Sequence, residues 1–341
     1  MIKKVLFICK NRIDSYRRSV GLIVSAEMIS NYLHFIDLDS KVVQVVDGNS
    51  IDREVFNYKP DLVIIEAIWV TVDKMRELLS IPRYKNLKWV VRIHSKIPFL
   101  ATEGIAISWL AGYRELAEEF SNFNISANNR SVCDDFWKVL EIEETYLPNI
   151  YYPSDFTIPK RVRDKKYMHV GCFGALRPLK NQLIQAIAAI EYGDERGLRI
   201  KFHINSDRQE QNGENVYKNL KALFDASEEH SLVGHPWLDH EDFIKLVRKM
   251  NIGLQVSMTE SFNLVAADFV WNNIPVIGSK DIDWLPSIFR ADPNSTKDIK
   301  KKMDFILNNQ DPKLYKLSNL ALDCYNHKAK NCWDLFLKLS I

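Results

Sequence analysis

The stretch IGLQVSMTESFNLVAADFVWNNIPVIG, residues 252–278, decides the fold of this chain. It begins with an apolar run of strand length, passes through a polar loop at 257–263, continues as an apolar helical segment at 264–271 and ends in a second short apolar run. This order is typical of a strand–helix–strand unit in a parallel sheet. Ligands of such sheets bind beyond the carboxyl ends of the strands, so the loop is the expected place for a site.

The same alternation of short apolar runs and helical segments extends over the rest of the chain. In the first part we predict strands at 5–9, 41–46, 61–66, 89–93 and 124–126, and helices at 20–33, 72–79, 109–120 and 133–139. In the second part we predict strands at 168–173, 198–204, 231–233, 252–256 and 275–277, and helices at 183–191, 216–224, 240–250, 264–271 and 313–339.

The segment 147–166 separates the two series. It holds three prolines and a basic run without a consistent period, which is typical of a connection between domains. We therefore predict an α/β protein with two Rossmann-like, doubly wound domains that face a cleft. The predicted boundaries are an N-terminal acceptor-binding domain at 1–150, a linker at 151–166, a C-terminal nucleotide-sugar-binding domain at 167–325, and a closing helix at 326–341 that packs back on the first domain.

Length and composition agree with this organisation. A chain of 341 residues exceeds what one hydrophobic core usually serves. No apolar run approaches the roughly 20 residues of a membrane span, and the apolar run at 2–9 is too short for a signal peptide, so we expect a cytoplasmic protein. The five cysteines are scattered without a C-x-x-C pair, which argues against a disulfide framework or a zinc site.

Charge singles out one segment near the N-terminus. The net charge of +2 names no partner for the chain as a whole. Residues 1–20, however, carry six basic side chains against one acid, so the loop after the first strand could attract an anionic ligand, with a solvated surface loop as the alternative.

The loop at 257–263 and the helix after it carry groups suited to a nucleotide sugar. The first N–H groups of a helix bind phosphate or sugar oxygens. Glu260 in the loop can accept hydrogen bonds from sugar hydroxyls, and Asp268 within the helix can hold a ribose diol in the same way. One carboxylate on each side of a diphosphate would form a clamp for such a donor.

A second motif, VGCFGALRPLKN at 170–181, follows the first strand of the second series. The glycine turn at Gly174 lets backbone approach a phosphate, with a surface turn as the plainer interpretation. Arg177 and Lys180 lie three residues apart and can neutralise a diphosphate leaving group.

Together the two motifs resemble the retaining GT-B glycosyltransferase family that includes glycogen synthase and the group 1 glycosyltransferases. The family pattern is Ser-x-x-Glu-x-Phe-Gly, an acid eight positions after the glutamate, and then Gly-x-Pro-Val; the spacing here matches fully. Asn263 and Asn273 replace two glycines, and Asp268 replaces the second glutamate. In the family's Gly-Arg-Leu-x-x-x-Lys loop, Lys180 aligns directly, while Ala175 takes the arginine position and Arg177 is displaced by two.

Three weaker matches fall in the order that the family shows. Leu232–Pro236 resembles the strand-turn whose backbone receives the base, 147–150 resembles the segment that closes the first domain, and His94 follows a strand where members place a histidine facing the sugar. The resemblance thus implies catalytic roles for Lys180, Arg177, Glu260 and His94. It implies donor binding by Gly174, Gly234, His235, Ser261, Phe262, Asn263, Leu264 and Asp268.

The reaction implied is retaining transfer from a nucleoside-diphosphate sugar, UDP or GDP first, without metal or other cofactor. The acceptor hydroxyl would attack on the face from which the diphosphate leaves. Our first choice of acceptor is a growing polysaccharide or lipopolysaccharide core, and the alternative is a hydroxylated base in DNA. A non-catalytic nucleotide-sugar-binding scaffold and a GT-B epimerase are alternatives of another class, and peripheral membrane contact stays open. Acceptor-binding candidates are Arg12, Arg17, Arg18 and Trp69, with Lys10, Arg92, Lys96 and Arg130 as further anion contacts and Trp109 and Tyr113 as stacking partners.

Overall fold

A computed structural model describes residues 2–11, 21–142, 145–153, 164, 166–309 and 312–339. The chain divides into two compact units, the first formed by Met1–Ser154 and Asn326–Ile341 and the second by Asp155–Tyr325. The acceptor and donor roles of the two domains, and the linker at 151–166, stay predictions. Within the described residues, no helix combines the length and the apolar character needed to cross a membrane.

The first unit is built on a six-stranded parallel sheet with the strand order β2-β1-β3-β4-β5-β6. Its strands are β1 Lys4–Lys10, β2 Asp39–Val45, β3 Leu62–Glu66, β4 Lys88–Ile93, β5 Phe123–Ala127 and β6 Thr145–Tyr146. Its helices are α1 Gly21–Phe35, α2 Ile51–Tyr58, α3 Val72–Leu79, α4 Ile97–Leu100, α5 Ala106–Glu119 and α6 Arg130–Leu140.

Burial in the first unit follows from helices covering the sheet on both faces. All five residues of β3 are buried, as expected for an inner strand of a parallel sheet. The end of the long C-terminal helix completes this core, because Trp333 is fully buried, lies 6.1 Å from the ring of Phe7 and donates to the Pro148 carbonyl over 2.8 Å. The predicted packing of the closing helix on the first domain is thereby confirmed.

The second unit contains a five-stranded parallel sheet with the order β11-β10-β7-β8-β9. Its strands are β7 Met168–Gly171, β8 Ile200–Asn205, β9 Ser231–His235, β10 Ile252–Gln255 and β11 Val276–Gly278. Its helices are α7 Gln182–Arg196, α8 Gly213–Asp225, α9 His240–Val247, α10 Leu264–Trp271 and α11 Thr296–Asn308, and the helix α12 Pro312–Leu339 ends the chain.

Three helices were not predicted from the sequence: α2, α11 and the four-residue α4. Helix α2 buries only Ile51 and Val55, and α11 carries the charged run KDIKKK and buries three residues. Helices α2 and α11 bury few residues and have a polar composition, so a search for apolar segments passes over them.

Candidate functional site

The order of strands in the second unit marks one edge of its sheet as the place for a ligand. From β7 the chain winds outwards to β8 and β9, and it then returns to add β10 on the other side of β7. Loops after β7 and β10 therefore leave the sheet in opposite directions at a topological switch point, where ligands of open α/β sheets bind. Both motifs found in the sequence lie on these two loops.

The loop after β7 brings a glycine turn against a lysine. Gly174 has φ +117°, a conformation that favours glycine, and its N–H donates to the Asn205 side chain at the end of β8 over 2.9 Å. A Cβ built at Gly174 would lie 3.8 Å from Cε of Lys180, so the turn and the lysine side chain are neighbours. Backbone without a side chain thus lies next to a cation.

Lys180 and Glu260 form an ion pair that joins the two loops. Both side chains are largely but not fully buried, with 15% and 8% exposed. The loops are also tied by backbone, because Met258 donates to the Leu179 carbonyl over 2.9 Å and the Asn181 side chain donates to the Val256 carbonyl over 3.0 Å. The structure therefore assembles residues 80 positions apart into one charged site.

Asn263 begins helix α10 with the backbone conformation of a glycine. Its φ is 59°, in the left-handed region, and its side-chain oxygen accepts from the Ala266 N–H over 2.8 Å as a helix cap. Its amide nitrogen donates to Gln255 over 3.1 Å, and the residue is 7% exposed. Asn273, which replaces the second glycine, also has a positive φ of 56°. Both substitutions keep the torsion that glycine would supply, and the side chain of Asn263 is directed into the protein.

We expect Asn263→Ala to lower the free energy of unfolding by about 2 kcal/mol, since alanine loses the cap and strains the left-handed backbone. Asn263→Gly removes the same side chain, but glycine suits this φ. Its loss of unfolding free energy should therefore consist of a few tenths of a kcal/mol for helix capping and the contribution of the hydrogen bond to Gln255. Urea unfolding of both variants measures the difference; equal losses would show that the backbone conformation carries no cost here.

Arg177 is held away from the Lys180–Glu260 pair by another carboxylate. It lies 3.3 Å from Glu210, which also pairs with Arg208 over 2.7 Å. Its side chain is 20% exposed. Its predicted role at the diphosphate stays a prediction, and this geometry requires Arg177 to exchange Glu210 for the ligand.

Asp268 is 1% exposed, and its carboxylate is bound by a histidine that sequence reasoning missed. His240 Nε2 lies 2.8 Å from Asp268 Oδ1. Nothing in the local sequence marks His240 beyond its place at the start of α9, because the contact spans 28 positions.

The other predicted donor-binding residues lie on the same edge of the sheet but differ in exposure. A Cβ at Gly234 would lie 2.6 Å from Ser206 Oγ, so a side chain at this position would require Ser206 to shift. Phe262 is 2% exposed and packs on Trp284 and Tyr325, so its side chain belongs to the core and only its backbone can face a ligand. Ser261, Leu264 and His235 are partly exposed.

In the first unit, His94 belongs to a polar cluster at the carboxyl ends of β3, β4 and β5. Its Nε2 contacts Glu66, and Nδ1 accepts from the Asn128 amide over 3.3 Å, so the neutral ring carries its proton on Nε2. Arg92 lies 3.0 Å from Glu66, and both are fully buried. The His94 side chain is 9% exposed.

The ionisation of this cluster follows from burial and neighbouring charge. Burial opposes the charged form of Glu66, but the charge of Arg92 and the hydrogen bonds from Arg92 and His94 outweigh it and hold the pKa of Glu66 below its ordinary value. Burial lowers the pKa of His94, Glu66 opposes this shift, and Arg92 adds to it. The cluster therefore contains an ionised Glu66, a charged Arg92 and a neutral His94 near pH 7.

Several acceptor candidates need correction. Arg92 is completely buried and bonded to Glu66, Asn149 and the Leu147 carbonyl, so it is no contact for a free anion. Tyr113 is completely buried, so it is no stacking surface. Trp69 is partly exposed and donates to the Glu66 carbonyl over 2.9 Å. Arg12, Arg17 and Arg18 lie outside the described residues.

Comparison with known proteins defines the class of fold. No protein-family model matches the sequence, and no curated protein matches it. Solved structures do match over nearly the whole chain. An apo structure of OtsA is 11% identical with a TM-score of 0.69, covering 98% of both chains. The E. coli trehalose-6-phosphate structure bound with UDP-2-fluoro glucose is 10% identical with a TM-score of 0.66, again covering 98% of both chains.

A third structure, a UDP-forming α,α-trehalose-phosphate synthase from Burkholderia xenovorans in complex with glucose-6-phosphate, is 11% identical, has a TM-score of 0.66 and covers 98% of this chain and 99% of its own. At this identity the likeness establishes the fold. The chain has the GT-B fold, and the fold class predicted from its sequence is confirmed.

Proposed function

We propose that this protein is a retaining glycosyltransferase that moves a sugar from a nucleoside-diphosphate sugar to a saccharide hydroxyl. The observation that carries the proposal is the Lys180–Glu260 ion pair beside the Gly174 turn, at the switch point of the second sheet. A cation, an open backbone turn and a helix N-terminus supply complementary charge for a diphosphate, and the carboxylate can hold the sugar.

The chemistry requires no protein nucleophile. The acceptor oxygen forms its bond to the anomeric carbon on the face from which the diphosphate oxygen departs, and the acceptor proton passes to that departing oxygen. Lys180 and the N–H groups at the start of α10 stabilise the charge that grows on the diphosphate. Binding of the diphosphate would draw Lys180 from Glu260 and leave that carboxylate to accept hydrogen bonds from sugar hydroxyls.

Asp268 and His240 are proposed to hold the ribose. A carboxylate with 1% exposure needs a partner that can move, and His240, with 18% of its side chain exposed, is the more accessible member of the pair. Displacement of His240 would let the ribose diol take its place on Asp268.

The acceptor we propose to test first is a phosphorylated sugar. The B. xenovorans structure holds glucose-6-phosphate, and the basic side chains at 10–18 of this chain suit a phosphate. The structures compared give no support to a DNA acceptor.

A donor panel tests the function directly. We expect one of UDP-, GDP-, ADP- or TDP-glucose to be consumed, with faster consumption when glucose-6-phosphate is added and an α-linked product. Binding of a nucleotide without turnover on any acceptor would favour the scaffold alternative. A gel shift of DNA that weakens steeply with salt would favour a nucleic-acid acceptor instead.

A further inference from the structure

Three histidines on neighbouring strands of the second unit form a continuous hydrogen-bonded chain. His169 on β7 contacts His203 on β8 through Nδ1 and Nε2 at 2.8 Å, and His203 Nδ1 contacts His235 Nε2 on β9 at 2.7 Å. At the far end, His169 Nε2 lies 3.1 Å from the Asp164 carboxylate. The chain therefore runs from a surface carboxylate to the end of β9, where the predicted base-binding turn begins.

The ring geometry supports two true N–H···N hydrogen bonds. The rings of His203 and His235 are nearly coplanar, with an interplanar angle of 11° and a centroid distance of 5.1 Å. For His169 and His203 the interplanar angle is 34° and the centroid distance is 4.9 Å. Coplanar rings direct a nitrogen lone pair at the neighbouring N–H. His203 is 5% exposed, so no water competes for its nitrogens, whereas His235 is partly exposed.

The carboxylate fixes the direction of every bond in the chain. A carboxylate only accepts, so His169 must donate from Nε2, and a neutral His169 then accepts at Nδ1. His203 must in turn donate from Nε2 and accept at Nδ1, and His235 must donate from Nε2. This leaves His235 Nδ1 as an acceptor, and that atom has no hydrogen-bond partner among the described residues.

One added proton reverses the whole chain. A proton that binds at His235 Nδ1 releases the Nε2 proton of His235 to His203 Nδ1, and His203 passes its own Nε2 proton to His169 Nδ1. The charge then lies on His169 beside Asp164, and His235 Nδ1 has become a donor. Atoms and charge balance, because one proton enters at His235 and one positive charge appears on His169.

The surroundings explain why the charge settles on His169. Burial, followed by the neighbouring histidines, lowers the pKa of His203 to about 3. Burial also lowers the pKa of His235. The charged groups that face the chain are Asp164 at His169, Lys201 and Lys249 at His203, and Lys249 at His235.

We propose that this histidine chain makes His235 a base-specificity residue whose Nδ1 accepts from the imino N–H of uracil, thymine or guanine and becomes a donor when the chain takes up a proton. The inference rests on the proposed function for the presence of a nucleotide at β9. The tautomers themselves are independent of any ligand.

The first test is nitrogen NMR of the histidine side chains in the free protein. We expect His235 to carry its proton on Nε2 at about pH 8 and on Nδ1 at about pH 5.5, across the range where histidines titrate. Double protonation of His235 itself, or an unchanged His235 tautomer, would overturn the relay whatever the protein binds.

The second test uses UDP and CDP, whose bases differ at N3, which donates in uracil and accepts in cytosine. Calorimetry at about pH 8 should give UDP binding about tenfold tighter than CDP, as one unsatisfied hydrogen bond costs, and the preference should fall about tenfold at about pH 5.5. If UDP binds but its preference over CDP does not change with pH, the inference about His235 is contradicted and the proposed function is not. Failure of every nucleotide to bind contradicts the proposed function, and the NMR result then stands by itself.

Asp164→Asn and Asp194→Asn are the matched pair of variants. Asp164→Asn removes the negative charge that faces the histidine chain, so a positive charge on the chain loses its counter-ion and the tautomer change should move to lower pH. Asp194 pairs with His230 over 3.0 Å in the same unit, and His230 is not part of the histidine chain. Its replacement should leave the His235 tautomers unchanged, and an unshifted transition in Asp164→Asn would show that the carboxylate does not set the direction.

Discussion

Lys180→Ala is expected to lower kcat by about 10²-fold or more, the size of effect seen when one group that stabilises transition-state charge is removed. The loss should fall mainly on kcat, because the interaction with the departing diphosphate strengthens as its charge develops. The structure adds a second cause. Without Lys180, Glu260 loses its ion-pair partner and stands as an uncompensated carboxylate next to an anionic donor.

Two variants separate charge from folding in this experiment. Lys180→Arg keeps the positive charge and should recover part of the rate. Lys300→Ala removes a lysine of the same unit that pairs with Glu191 and Glu195 on the surface, and it should leave kcat unchanged. Steady-state kinetics with the donor identified by the panel measures all three. Wild-type kcat in a folded Lys180→Ala protein would remove the lysine from the mechanism.

Arg92→Met is expected to lower the free energy of unfolding of the first unit by about 3–5 kcal/mol, the usual cost of leaving one partner of a buried ion pair. Glu66 is fully buried, and the Arg92 charge is what keeps its pKa low. The variant leaves Glu66 with a hydrogen bond to the neutral His94 but without a cation beside it. Urea unfolding followed by tryptophan fluorescence suits the measurement, because Trp89 and Trp333 are fully buried in this unit.

The pH dependence of this loss has a definite sign. The low pKa of Glu66 in the native protein contributes stability above its unfolded pKa, and that contribution is lost as the pH falls through the native value. In Arg92→Met the pKa of Glu66 should rise, so a protonated Glu66 costs little at low pH. The difference in unfolding free energy between wild type and Arg92→Met should therefore become smaller as the pH falls from 7 towards about 4.

Arg83→Met is the surface control for this experiment. Arg83 pairs with Asp52, and both are well exposed, at 49% and 37%. Its loss should cost far less than the loss of Arg92, because both charges of the Arg83–Asp52 pair are exposed to solvent. A loss of similar size in both variants would show that burial of the Arg92–Glu66 pair has no special cost.

The sequence predicted the two sheets because their strands are apolar runs separated by helices with clear periods. The resemblance to the GT-B family also implied that Glu260 and Lys180 serve one site, and the two side chains form an ion pair. The sequence did not predict which side chains contact the candidate site residues. Glu66, Asn128 and His240 each contact a predicted residue from 26 to 34 positions away, and no local pattern marks such contacts.

The same limit explains the errors among acceptor candidates. Arg92 and Tyr113 are residue types that often contact ligands at protein surfaces, yet both side chains are completely buried. The direction in which a polar side chain leaves an inner strand or helix depends on partners elsewhere in the chain. Only the packed sheet, which sets Arg92 beside Glu66 and the Leu147 carbonyl, reveals that direction.

The left-handed asparagine at 263 bears on how this loop can change over time. In the genetic code, asparagine and glycine are two base changes apart, with aspartate or serine between them. Aspartate would cap α10 as well as asparagine does, but it would set a further carboxylate beside the site proposed for an anionic donor. Serine is poorly suited to a φ of 59°. Each single base change towards glycine therefore costs either donor binding or stability.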